Sequence, residues 1–274
     1  MSSADPRLRL GEAVALGALH GPAELLPVSS SGHATLVPWL LGWEYARVDG
    51  ERRKAFEVAL HAGTAVALAV VLRGQLARAD PAVVALSLLP PAIAGLALER
   101  PIERRLGTPA TIAAGLLAGA VAMAAADRCT PAARTRADAR ASDGLVLGLA
   151  QACALVPGVS RNGATLAAAR ARGFAPADAS ALSWDAALPV LAGAAALKGV
   201  RLASCALRPR GGPKAQLDGR ALAAGAAAAF VSTLGAARMV PRDRPLAPYA
   251  AYRVALAGLV IRRLWKDRRR GIQP

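Results

Sequence analysis

Cysteine is scarce in this chain of 274 residues. The three present, Cys129, Cys153 and Cys205, are far apart and form no CxxC pair. That excludes a disulfide framework and a cysteine zinc cage. Aromatic residues make up only 4%, so any belt of Trp and Tyr at a membrane interface is thin. Acidic residues are outnumbered, 18 against 34 Lys and Arg, for a net charge of +16. Histidine occurs three times, all in the first quarter, at His20, His33 and His61. A clean secretory leader is also missing. The apolar part of MSSADPRLRLGEAVALGALHGPAELLP carries Glu12 and Glu24, and no small-residue cleavage site closes an apolar run.

What is abundant is apolar surface. Hydrophobic residues reach 54% and mean hydropathy is positive. Nucleic-acid binders are basic but not this apolar. Here the basic residues sit between apolar blocks, which points to a polytopic membrane protein with loops at lipid headgroups. Six blocks of the roughly 17–25 residues that a spanning helix needs lie near 55–73, 82–98, 108–126, 179–198, 219–237 and 247–265. Their many Ala and Gly residues permit close helix packing. The connections, such as RPIERRLG and RCTPAARTRADARAS, read as loops, so one membrane domain, 1–274, is expected.

Two segments stand outside that scheme. LLPVSSSGHATL begins at Leu25, and LVPGVSRNGATL begins at Leu155, 130 positions later. Without gaps, Pro27 aligns with Pro157, Ser30 with Ser160, and Ala34, Thr35 and Leu36 with Ala164, Thr165 and Leu166. Regions 9–42 and 143–172 each hold an apolar run, a polar turn with Pro and Gly, and a second short run. Each reads as a re-entrant hairpin, which is tolerated only where protein buries it or water reaches it. Three spans separate the hairpins, so they enter from opposite faces. The chain then reads as all-α inverted repeats, 9–126 and 143–265, with about six transmembrane helices and two hairpins whose tips meet at a binding site. On that topology 21 basic residues lie on the side of the termini and 11 on the other, which places both termini in the cytoplasm.

The polar tips carry the candidate chemistry. Ser29, Ser30, Ser31 and Gly32 lead into a helix near His33, and such an N-terminus favours an anion. A serine there becomes a nucleophile when a base is near, and Ser30 and His33 are three apart; the plainer alternative is an N-cap. The second tip supplies Arg161, whose planar fork of donors suits phosphate oxygens, together with Ser160, Asn162, Gly163 and Thr165; the alternative is an arginine snorkelling to the surface. His20 and Glu24 share one helix face, as do Glu57 and His61. Ionisable residues inside membrane segments are functional candidates, although both pairs also serve simply to hold helices together. Asp185, in ALSWDAALP, pairs with Arg161, pairs with a loop arginine, or faces water.

Four stretches, HGPAELLPVSSSGH, AFEVALHAGT, VPGVSRNGAT and LAPYAAYR, resemble those of the undecaprenyl-diphosphatases, also called bacitracin-resistance proteins, over nearly the whole chain. The resemblance implies hydrolysis of a polyprenyl diphosphate to the monophosphate plus phosphate, recycling the lipid carrier for cell-wall polymers in a bacterial plasma membrane. It implies Ser30 as nucleophile, His33 as its acid–base partner, Glu24 as a motif carboxylate and Arg161 as phosphate ligand. A divalent cation, Mg or Ca, on Glu24 and His20 is compatible with it, with Glu57 and His61 as secondary candidates. The partners are then the membrane and the lipid, without nucleic acid, and a homodimer is allowed. Two positions depart from the family pattern: His20 stands where it has glutamate, and Asn162 where it has serine. Two other classes fit parts of the pattern. A lipid flippase or transporter uses inverted repeats but needs no serine–histidine pair beside an arginine. A metal-dependent hydrolase would use His20, Glu24, His33, Glu57 and His61, though their spacing matches no specific zinc motif.

Overall fold

Short polar caps set the ends of the long helices. The computed structural model describes residues 6–128, 132–206, 218–241 and 243–271. Asp49 caps α3 (Gly50–Leu76). Asp80 and Pro81 open α4 (Pro81–Leu106). Thr108 and Pro109 open α5 (Pro109–Ala126). Asp218 caps α9 (Gly219–Met239). In each case a side-chain oxygen accepts an otherwise unpartnered helix N–H, and proline at the first turn has no N–H to lose. With α8 (Pro176–Ala206) and α10 (Ala247–Arg269) these are the six expected long helices. They outrun the apolar blocks because caps, rather than hydropathy, end them. Four of them, α3, α4, α5 and α9, are long and apolar enough to cross a membrane. The charges Arg253, Arg262 and Arg263 interrupt the apolar stretch of α10. Side chains of α8 beyond 193 lie outside the described residues, as do Cys129 and the Cys205 side chain. Cys153 is a free thiol.

The outward faces are apolar. Ile93 and Leu96 on α4, Val121 on α5 and Val231 on α9 are each about two-thirds exposed. Side chains of this kind at this exposure suit lipid, and the protein is an all-α polytopic membrane protein. Among the described residues the core is divided into four clusters, including one around Met123, Leu147, Leu166 and Phe174 and another around Leu16, Tyr45, Phe56 and Leu60.

Two helix–turn–helix units supply the short elements: α1 (Leu10–Leu25) with α2 (Ser30–Leu41), and α6 (Ala141–Cys153) with α7 (Arg161–Ala171). The longest, α1, has 16 residues, a length of about 24 Å, which falls short of the roughly 30 Å hydrocarbon layer. Contacts come in matched pairs. α1 packs on α9 and α6 on α4, α3 packs on α9 and α8 on α4, while α3 meets α8 and α5 meets α10. Counting α1–α5 against α6–α10, each of these contacts has its counterpart, whereas α7 also packs on α8 where α2 makes no comparable contact with α3. Small residues make the crossings close. A Cβ on Gly17 or Gly21 of α1 would lie 2.3 Å from a Gly225 or Ser232 oxygen on α9, and one on Gly144 of α6 would lie 2.4 Å from the Val83 carbonyl on α4. Such small-xxx-small faces let helix backbones touch where lipid removes the hydrophobic drive to associate.

Candidate active site

Each tip begins with a serine that caps a helix. Ser29 Oγ accepts from the Gly32 N–H at 3.2 Å, and Ser160 Oγ accepts from Gly163 at 3.1 Å. The structural match between the tips is therefore Ser29-Ser30-Ser31-Gly32 with Ser160-Arg161-Asn162-Gly163. This corrects the ungapped alignment by one residue: Ser30 corresponds to Arg161, and both are the first residue of their helix. The extra residue in the second turn is accommodated at Gly158, whose φ is +92°. The first turn is instead tightened at Ser29, with φ of +75°, the one non-glycine residue with positive φ among those described. That conformation is costly for a side-chain-bearing residue and tends to occur at functional sites.

The two first-position residues meet on one carboxylate. Glu24 Oε2 accepts from Ser30 Oγ at 2.5 Å, and Oε1 accepts from Arg161 Nη2 at 2.7 Å. Glu24 is buried at the end of α1, whereas Ser30 is half-buried. Arg161 Nε and Nη1 are buried and have no hydrogen-bond partner among the described residues. The guanidinium lies 5.3 Å from the Trp184 ring centroid. Neither a snorkelling arginine nor a serine used only as a cap describes this arrangement. A cleft beside it is lined by Leu16, Leu19, His20, Ser30, His33 and Ala34.

His33 lines that cleft, yet its nitrogens are committed elsewhere. Nδ1 donates to the Ser29 carbonyl at 2.7 Å, and Nε2 meets the Tyr252 hydroxyl at 2.6 Å. The expected Ser30–His33 pair is thus replaced by Ser30–Glu24. A helical residue i+4 from its own N-cap carbonyl reaches that carbonyl readily, and here it does.

The remaining predicted residues mostly build the scaffold. Asn162 Nδ2 donates to the Leu25 carbonyl at 2.7 Å, tying the second tip to the first, and its Oδ1 accepts from Ser183 at 2.9 Å. Thr165 Oγ1 donates back to the Arg161 carbonyl at 3.0 Å and contacts Ser183. Ser31 Oγ stands 3.5 Å from Ser29 Oγ. The side chains of Ser160, Asn162 and Thr165 all have protein partners. Asp185 pairs with a loop arginine, Arg136, at 2.8 Å rather than with Arg161.

Sequence reasoning passed over Arg253. It is fully buried and donates to the carbonyls of Pro27, Gly158, Gly115 and Leu116 at 2.9–3.2 Å. One guanidinium therefore pins both turns and α5. The LAPYAAYR stretch was the available signal: an arginine inside an apolar span is expensive unless its donors are used.

His20, Glu24 and His61 form a second cluster, with ligand-capable atoms within 4.8 Å of one another. The two rings meet edge-on at 4.6 Å. His20 Nδ1 bonds Thr64 Oγ1 at 3.0 Å, and His61 Nδ1 donates to the Glu57 carbonyl at 2.8 Å.

The family model for bacitracin resistance protein BacA matches residues 13–259. A protein of Pelobacter propionicus named undecaprenyl-diphosphatase is 36% identical, covering 93% of this chain and 97% of its own. One of the same name from Geobacter sulfurreducens is 37% identical over 91% and 96%. Another from Mycobacterium avium is 35% identical over 90% and 94%. With the match spanning both hairpin tips and the arginine that joins them, this chain belongs to the bacitracin resistance protein BacA family.

Proposed function

We propose that the protein is an integral membrane phosphatase that hydrolyses a polyprenyl diphosphate, undecaprenyl diphosphate above all, to the monophosphate and phosphate. The lipid carrier for cell-wall synthesis is thereby recycled at a bacterial plasma membrane. The observation that carries the reading is the single carboxylate of Glu24 holding a serine hydroxyl on one oxygen and an arginine on the other. Transport needs no such pair; phosphoryl transfer does. The relatives' names, which speak of hydrolysis, support the same reading.

The chemistry follows from the geometry. The terminal phosphate takes the unpartnered Nε and Nη1 of Arg161 and draws the guanidinium from Glu24. Freed of its ion pair, Glu24 takes the Ser30 proton. Ser30 Oγ bonds the terminal phosphorus, the bond from phosphorus to the bridging oxygen breaks, and the polyprenyl monophosphate leaves. Water then attacks the phosphoserine, releases phosphate and restores Ser30. Charge gathers on the phosphoryl oxygens, where Arg161 and the helix N-termini stand ready. His33, fixed between Ser29 and Tyr252, holds the strained turn that presents Ser30. The halves act as inverted repeats, 9–126 and 143–265, with both termini cytoplasmic.

The test is phosphate release from a polyprenyl diphosphate by purified protein in detergent, beside Ser30→Ala and with and without chelator. Release that disappears with the mutation is expected. Well-folded protein that releases nothing overturns the reading.

A further inference from the structure

Magnesium and calcium are hard cations that choose oxygen ligands. The only group of three or more His, Cys, Asp and Glu close enough for shared ligation among the described residues offers two imidazoles and one carboxylate, His20, His61 and Glu24. The expected Mg or Ca does not fit that set.

We infer that His20, His61 and Glu24 form a binding site for a borderline transition-metal dication such as zinc, cobalt or nickel. Each imidazole is already oriented for it. His61 spends Nδ1 on the Glu57 carbonyl, which leaves the Nε2 lone pair for a metal. His20 spends Nδ1 on Thr64, and its buried Nε2 has no partner among the described residues. A metal-bound histidine almost always uses its other ring nitrogen in this way. A buried ring nitrogen without a partner is otherwise unfavourable, and two imidazoles in a T-shaped contact, centroids 4.6 Å apart, give a cation two neutral donors. The 4.8 Å limit on ligand separation exceeds the about 3.4 Å of a shell with bonds of roughly 2.0–2.2 Å. Rotation of the half-buried His61 ring is the adjustment available.

The placement ties the site to the reaction, and this part rests on the phosphatase reading. Glu24 belongs both to this cluster and to the Ser30–Arg161 bridge. A dication at the cluster supplies positive charge next to the carboxylate that holds the nucleophile. His20 is the residue on which the choice turns, because a glutamate there would restore an oxygen-rich set.

The test uses full-length protein in detergent, stripped with chelator and titrated with Co²⁺ as the probe. Expected are about one cobalt per chain, a visible absorption that Zn²⁺ abolishes, and no displacement by a thousandfold excess of Mg²⁺, a margin consistent with nitrogen ligation. His20→Gln and His61→Gln each weaken cobalt binding by about tenfold or more, while His20→Glu shifts preference toward Mg²⁺. Pulsed electron paramagnetic resonance of the Cu²⁺-loaded wild type, which needs no variant to fold, should show two imidazole nitrogens. One nitrogen or none, cobalt binding unchanged in both glutamine variants, or ready displacement by Mg²⁺ overturns the inference. Phosphate release is read on the same samples. Metal binding without release sinks the phosphatase reading alone, and release without metal binding sinks this inference alone.

Discussion

Replacing Glu24 by glutamine keeps the shape of the bridge and removes its charge. The amide still reaches Ser30 and Arg161, but it takes no proton and offers no ion pair. Loss of a positioned general base costs about 10²–10⁴-fold in turnover. Breaking a buried pair by removing one partner also costs stability, about 3 kcal/mol at the low end, because Arg161 is only 12% exposed and its partner 6%. A chain of this length should therefore melt several degrees lower. His33→Gln is the comparison. Its bonds to Ser29 and Tyr252 are ordinary hydrogen bonds, each worth about 1 kcal/mol, so the expected loss is at most about thirtyfold. Phosphate release and thermal melting in detergent are measured for both variants and for Glu24→Gln with Arg161→Met. Residues acting as one unit are strongly non-additive, so the double variant should be little worse than either single. Glu24→Gln above a tenth of wild-type turnover, or His33→Gln as inactive as Glu24→Gln, refutes the assignment of the proton to Glu24.

Ser30→Ala and Arg161→Ala should each lower turnover by about two orders of magnitude or more, as for a lost nucleophile or charge-stabilising donor; steady-state phosphate release checks this. Arg253→Lys should lower both melting temperature and turnover, because one ammonium cannot span the four carbonyls that the guanidinium reaches. Gly119→Ala tests the same anchor without replacing it: the new Cβ would lie 2.1 Å from Arg253 Nη2, so turnover should fall as the turns shift, while Gly74→Ala, where a Cβ meets nothing within 4 Å, should leave it unchanged. Asp185→Asn should weaken the Arg136 bridge and lower the melting temperature with little effect on turnover, since neither group touches the Ser30–Glu24–Arg161 bridge.

Hydropathy made the six long helices legible because lipid demands long apolar runs, and the two short broken segments stood out against them. Their ends were less legible. Asp49, Asp80, Thr108 and Asp218 set them by capping, a local signal weaker than the apolar pattern. The meeting of the tips was readable from the repeat, but the hydrogen bonds within them were not. His33 lies three residues from Ser30 in sequence, yet its ring turns back to the N-cap carbonyl of its own helix. Glu24, six residues away and on another helix, becomes the serine's partner because the strained turn at Ser29 folds the start of α2 back over the end of α1. Asn162 and Thr165 looked like donors for a substrate, but buried tips leave many polar groups to satisfy, and those side chains satisfy them.

The one-residue slip between the tips explains why the site has two unlike halves. Sequence identity favours matching Ser30 with Ser160, and then the arginine falls opposite Ser31. Helix caps override identity, because the N-cap serine fixes where the helix begins. In that register the hydroxyl of Ser30 and the guanidinium of Arg161 occupy one and the same helical position on α2 and α7, and both converge on Glu24. Side chains from the first turns of two helices then meet one anionic group. In the protein as it stands that group is a carboxylate. A phosphate carries more charge and more acceptor oxygens, so it competes for the arginine while the serine stays on the carboxylate. In the proposed mechanism the nucleophile keeps its base at the moment the phosphorus is brought to it, which a symmetric pair of serine tips or of arginine tips could not achieve.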